Sequence, residues 1–454
     1  MWKIRIAALL ASCWLFVAVG AERARPVEVA NEAFGVDLPD MEFKLEAKRR
    51  FVLDGILPLS SDAYWPGAQY TAMVTNLPAA LRFVTLDGKE VFRHELKAGD
   101  GRIPVPPFEV AMLVAGASPV TVLVRKGGDT RLLEIRKIED FEPRRHEYAK
   151  TLRFRPDGGA TDAHVALSAG VGQADMRFVT EGRENRPYVE GGRLFFTFSA
   201  RAYGSWLGVM SIDPKNPADL RLEGTVFFDY GDGLLRNDIA ADLFHDTETG
   251  MWRAYVSNFS TGAGSGGTHK RAVGGINVAW CKDSPLHGVN VMKAKSLGML
   301  GMNEDPDGIF DAAAGKWRLL VSMFTGKGIR ASLWESDEWD GPFTRIAGPV
   351  DRDSTGTTIL PFGDKWYCLS GSSDKTMYAY SYPDLKMRGC LRFDIPPWPM
   401  QGGYPHGRVW PAIAEFADGG KSAFLMVTMD RVNFPGMPTP NWTYGELHVY
   451  VARP

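Results

Sequence analysis

Short apolar and aromatic runs bounded by Gly, Asp, Asn and Pro recur along the chain: RLFFTFSAR (193–201), WRAYVSNFS (252–260), WRLLVSMFT (317–325), WYCLSGSS (366–373) and SAFLMVTMDR (422–431). Their length and aromatic content predict strands, and no convincing amphipathic helix longer than two turns interrupts them. Each run follows an acidic or polar turn containing glycine, as in VEGGRLFF, HDTETGMWRAY, FDAAAGKWRLL, PFGDKWYCL and ADGGKSAFL. With Arg193, Trp252, Trp317, Trp366 and Ser422 taken as equivalent, the intervals are 59, 65, 49 and 56 residues. A repeat of this length, each unit a small sheet unable to bury its faces alone, predicts an all-β five-bladed propeller over 150–454. A large β-sandwich or a solenoid is the alternative.

Before each turn lies another short strand: ENRPYVE, NDIAADLFHD, EDPDGIFD, TGTTILPF and RVWPAIAEF. In a propeller the first strand of a blade lines the channel, so the residues opening these strands are expected to converge at one mouth. Residues 27–145 lack the repeat. Their alternating segments, with turns at Asp87-Gly88 and Gly127-Gly128-Asp129, predict a separate small β-sandwich-like domain.

Composition narrows the partners. Lys+Arg 52 against Asp+Glu 54, with no long basic run, gives no footprint for nucleic acid. MWKIR, an apolar run and Val19-Gly20-Ala21 form a signal peptide over 1–21, predicting a secreted or periplasmic protein, and no later stretch is apolar enough to span a membrane. Leu10-Ala11-Ser12-Cys13 offers a lipoprotein anchor as the lesser alternative. The sparse Cys281, Cys368 and Cys390 predict at most one bridge and no zinc ribbon.

The polar residues opening the inner strands are the candidate chemistry. Carboxylates gathered from several blades repel one another and are partly desolvated, which separates a protonated acid from an ionised partner. Glycosidic hydrolysis needs that pair. The catalytic candidates are Asp305, Asp238, Asp242, Glu184 and Glu304, with Asp353 as a weaker acid. Candidates for holding a sugar are Arg186, Asn185, Arg236, Asn237, Asp307, His406, Arg408 and Trp410; the arginines suit a carboxylate or sulfate, unless neighbouring acids take them. No cofactor is expected. DPDG (305–308) lacks the later ligands of a calcium loop, and a calcium in the channel is left open.

Here AADLFHDTETGMWRAYVS (240–257) and EDPDGIFDAAAGKWRLLVS (304–322) resemble the inner-strand motifs of the five-bladed β-propeller glycoside hydrolases, the arabinanases, β-xylosidases, α-L-arabinofuranosidases and fructosidases. The resemblance covers about 180–454 and implies a hydrolase of oligo- or polysaccharides, as a divergent member. Two motifs depart from it. Asn185-Arg186-Pro187 stands where the family's first blade carries Asp-Pro-Ser. Ser354-Thr355-Gly356 replaces the Glu-Gly-Pro that supplies the general acid. Either catalysis moves to other blades, or the propeller binds carbohydrate without cleaving it; a polysaccharide lyase is a third reading.

Overall fold

The computed structural model describes residues 37–115, 119–137, 142–259, 275–298, 303–397, 408–438 and 443–453. The expected signal peptide, Cys13 and His406 lie outside them. Within them the chain is almost wholly strand.

Five antiparallel units follow one another. The first is Gly172–Phe178, Arg193–Ala202, Gly204–Asp213 and Asn216–Asp229; the second is Ile239–Asp246, Met251–Ser257, Ile276–Cys281 and Gly288–Ser296. The third runs from Asn303–Asp311 to Thr344–Ala347, and the fourth from Thr355–Phe362 to Met387–Cys390. The inner strands touch in the order one, two, three, four, five and back to one, which closes a ring and defines a propeller. The first inner strand is held to Arg193–Ala202 at both ends, by Val171 N–H to Arg201 O (2.7 Å) and Val179 N–H to Phe195 O (2.8 Å).

The fifth unit is completed from far away. Ala412–Asp418, Lys421–Met429 and Leu447–Ala452 pair in order, the fourth strand is Glu42–Arg49, antiparallel to Leu447–Ala452, and the short Arg392–Phe393 lies parallel on its other edge. Phe43, fully buried, enters the core between units four and five with Leu369, Met377, Phe424 and Tyr450. The segment expected in the N-terminal domain therefore closes the ring.

That domain is a seven-stranded sheet from Ile56–Pro58 to Leu152–Ser168. It extends past the boundary expected near 145–150, because Leu152–Ser168 pairs along the length of Ala68–Thr85. The first half of Ala68–Thr85 also pairs with Phe108–Val114 and the second half with Glu90–Leu96, so one sheet folds over its own core of Tyr70, Phe83, Val110 and Val122. Ala111, Leu113 and Leu167 bury their other face against Phe196, Trp206 and Val449 of units one and five. Cys281, Cys368 and Cys390 are free thiols.

Phe43→Ala opens a cavity in the clasp and should lower stability by about 3–5 kcal/mol. Val105→Ala, at an exposed position, should stay within about 0.5 kcal/mol. Denaturant titration of both variants checks this, and equal small losses would show that the clasp contributes little.

Candidate active site

Four inner strands contain a residue with left-handed backbone at the same place: Asp175 (φ 54°), Ala240 (φ 52°), Asp305 (φ 57°) and Gly356 (φ 61°). In strands two, three and four a bulge accompanies it, between Ile239/Ala241, Glu304/Asp307 and Thr355/Thr358. A non-glycine residue there costs about 1–3 kcal/mol and persists only where surrounding bonds hold it. Such bonds are present at Asp305: its N–H donates to Ser257 Oγ (2.9 Å), and its carbonyl accepts from Arg177 (3.0 Å) and Thr357 Oγ1 (2.5 Å). The bulge breaks strand alternation, so Glu304 and Asp305 share one electrostatic cluster.

Two residues past the left-handed position the carboxylates face a neighbouring blade. Asp242 accepts from Gly308 N–H of strand three (2.8 Å), and Asp307 from Ile359 N–H of strand four. Both are thus engaged in holding blades together. Burial first, then repulsion from Asp307, pushes Asp242 well above the usual carboxylate range; burial pushes Asp307 up to about 6, against the pull of Arg177 and Ile359 N–H.

The carboxyls at and just before the left-handed position are differently placed. Asp175 is ion-paired to buried Arg201, whose guanidinium lies 4.7 Å from the Tyr444 ring centroid. Asp305 accepts from Thr355 Oγ1 and from Gly356 N–H (3.0 Å), and burial followed by Asp175 raises it. Glu304 retains some exposure, and no group among the described residues donates to it. Burial, then Asp305 and Asp175 against the pull of Arg408 and Arg431, pushes Glu304 up to about 8. Arg431 has no carboxylate partner among the described residues; its Nε donates to Arg408 O (2.6 Å) and it packs on Tyr444 (4.4 Å).

Several expected site residues stand elsewhere. The segment 184–186 does not open the first inner strand; it belongs to an excursion inserted after Gly172–Phe178. There Asn185 exchanges bonds with the backbone of Phe310 (2.9 and 3.3 Å), toward the far end of the third inner strand from Glu304. Glu184 is exposed and accepts from Thr247, and Arg186 pairs with Glu181. Asp238 is fully buried and accepts from Tyr230 (2.7 Å), while Asn237 donates to Ser205 O (2.7 Å). Arg236 pairs with Asp232, and Arg408 grips Asp353 with two bonds of 2.6 and 2.9 Å. Although burial opposes it, Arg408 holds the Asp353 carboxyl below its ordinary range. Trp410 is no sugar platform: it is 2% exposed, donates to Met176 O, and has Arg177 over its ring at 5.1 Å. The third strand thus supplies two expected residues to the cluster, Glu304 and Asp305. Asp175, Arg177, Arg201 and Arg431 complete it and were not anticipated. The constant interval from Asp175 to Ala240 and from Ala240 to Asp305, 65 residues each (175 to 240, 240 to 305), is the signal that finds the first of them.

No protein-family profile and no curated protein matches the sequence. Solved structures are similar at low identity. A family 117 glycoside hydrolase of the marine bacterium Zobellia galactanivorans is 14% identical over 62% of this chain and 84% of its own, with TM-score 0.41. The catalytic domain of the Coprinopsis cinerea GH62 alpha-L-arabinofuranosidase is 10% identical over 62% and 90%, with TM-score 0.41. An N-acetylgalactosamine deacetylase from F. plautii is 9% identical over 62% and 90%, with TM-score 0.42. The case for the site rests on its own residues.

The folded value of Asp307, about 6, exceeds its ordinary 3.8, so the neutral form is bound more tightly by the fold. Its contribution is fully present below about pH 4 and is lost as pH rises through about 6. Asp307→Asn should make the melting temperature depend less steeply on pH between 4 and 7. Parallel slopes for the two proteins would remove Asp307 as the source.

Proposed function

We propose that the chain is a glycoside hydrolase acting on an oligo- or polysaccharide, with Glu304 as general acid and Asp175 as base or nucleophile. The observation that carries this is Glu304: partly open, without a donor among the described residues, and raised to about 8, beside an Asp175 fixed by Arg201. A carboxyl protonated at neutral pH donates its proton to the glycosidic oxygen as the bond to the sugar breaks. The second carboxylate takes a proton from water or attacks the anomeric carbon. Asp305 sustains the high Glu304 value through charge repulsion and is itself positioned by Thr355 and Gly356. The signal pattern at the N-terminus supports export of the protein.

Arg186, Arg236 and Arg408 are each matched by a carboxylate, so they no longer argue for an acidic sugar. Arg431 does: it lies beside Glu304 without a carboxylate partner among the described residues, and it suits a carboxylate or sulfate on the substrate. One observation favours the second reading, a propeller that binds carbohydrate without cleaving it. The opening of strand four offers the hydroxyls of Ser354, Thr355 and Thr357 in place of a carboxyl.

Purified protein should release product from one member of a panel of plant and algal oligosaccharides that includes uronic and sulfated ones. Glu304→Gln should lower kcat by about 100-fold or more with little change in substrate binding. It should also abolish an alkaline fall in activity near the raised Glu304 value, about 8. Asp175→Asn should lower kcat comparably. Tight binding with no turnover would establish the binding propeller instead, and a product with unsaturated-uronide absorbance would establish a lyase.

A further inference from the structure

Away from the channel, the fifth blade carries a polar cluster at the end of the sheet where its inner strand Ala412–Asp418 begins. Thr428 and His448 are cross-strand partners, as are His448 and Lys48. Asp430 lies two residues beyond Thr428 and Glu446 two before His448, and Asp430 N–H to Glu446 O (3.0 Å) continues the ladder. Alternation therefore places Thr428, Asp430, Glu446 and His448 on one face. Ligand atoms of Asp430, Glu446 and His448 lie within 4.8 Å of one another.

The bonding of this group is incomplete. Asp430 Oδ1 receives every donor to that carboxylate: Glu446 N–H (2.9 Å), Val432 N–H (3.2 Å) and Arg50 (3.3 Å). Oδ2 has none among the described residues. The His448 side chain is 5% exposed; its Nε2 meets Glu446 Oε2, whereas its Nδ1, and the Oγ1 of Thr428, fully buried on the same face, have no partner among the described residues. Buried polar atoms are normally satisfied, and such exceptions are places where a water or an ion completes the bonding.

We infer that Asp430, Glu446 and His448 bind one divalent transition-metal ion, of which zinc is the type, with Thr428 Oγ1 or a water as fourth ligand. Two carboxylate oxygens and an imidazole nitrogen are a borderline set that suits such an ion better than the all-oxygen preference of calcium or magnesium. His448 Nε2 and Glu446 Oε2 are 3.3 Å apart, close to the ~3.4 Å separating two ligands at zinc bond lengths and a tetrahedral angle. Lys48 and Arg50 flank the site and balance the two carboxylates before the ion arrives. They limit affinity and leave the ligand atoms in place.

The test uses untagged full-length protein stripped with a chelator and titrated with ZnCl2 by calorimetry, with thermal melting alongside. One ion per chain should bind with Kd below about 100 μM and raise the melting temperature. His448→Gln and Glu446→Gln should each weaken binding at least ~tenfold, while His94→Gln, at another buried histidine, should not. Glu446 is partly exposed, so its variant reports on the site even if His448→Gln fails to fold. Affinity weaker than that limit in the wild type, or undiminished affinity in Glu446→Gln, overturns the assignment.

Discussion

The ring depends on carboxylates that reach across from one inner strand to the amide of the next. Asp242 holds Gly308 N–H and Asp307 holds Ile359 N–H, so blades two, three and four are tied together at their inner strands. Each bond buries a group that resists ionisation, and the fold tolerates this because the acceptor meets a fixed amide in place of water. The bulge with its left-handed residue provides the geometry. It shifts the alternation so that one acid of strand three ties blades while Glu304 is left partly exposed and without a donor among the described residues.

Bonded and unbonded acids therefore stand side by side in one strand, distinguished by their partners. Asp307 and Asp305 have backbone amides from strand four, whereas Glu304 has none among the described residues and faces Arg408 and Arg431 only across a gap. A rigid wall with one unsatisfied, partly open carboxyl is what acid catalysis requires, since the proton must be held but not already shared.

Much of the architecture was legible because turn glycines and strand aromatics repeat with the blades. Two features were not. The excursion around Glu184 is itself strand-like and precedes VEGGRLFF, so it masked Gly172–Phe178 and with it Asp175. Glu42–Arg49 alternates like its neighbours, and its partner lies some 400 positions later (Lys44 with Val451), a separation that no local pattern encodes. At the site, residue types were readable and their engagement was not. Asp238 and Asp242 look as available as Glu304 in sequence, and only the bulge register and the position of Tyr230 show that they are already bonded. Trp410 failed for the same reason, being claimed by Met176 and Arg177.

Closure by Glu42–Arg49 sets an order of events. During synthesis this strand emerges before every other part of the propeller, yet its partner Leu447–Ala452 is made last. The sheet of 56–168 is complete long before then and can fold as a unit. Until then the first strand lacks its antiparallel partner, and its charges, Glu42, Lys44, Glu46, Lys48 and Arg49, are the residues that discourage pairing with the wrong chain. The ring is thus sealed only once Leu447–Ala452 has been made, and Glu42–Arg49 acts as its latch.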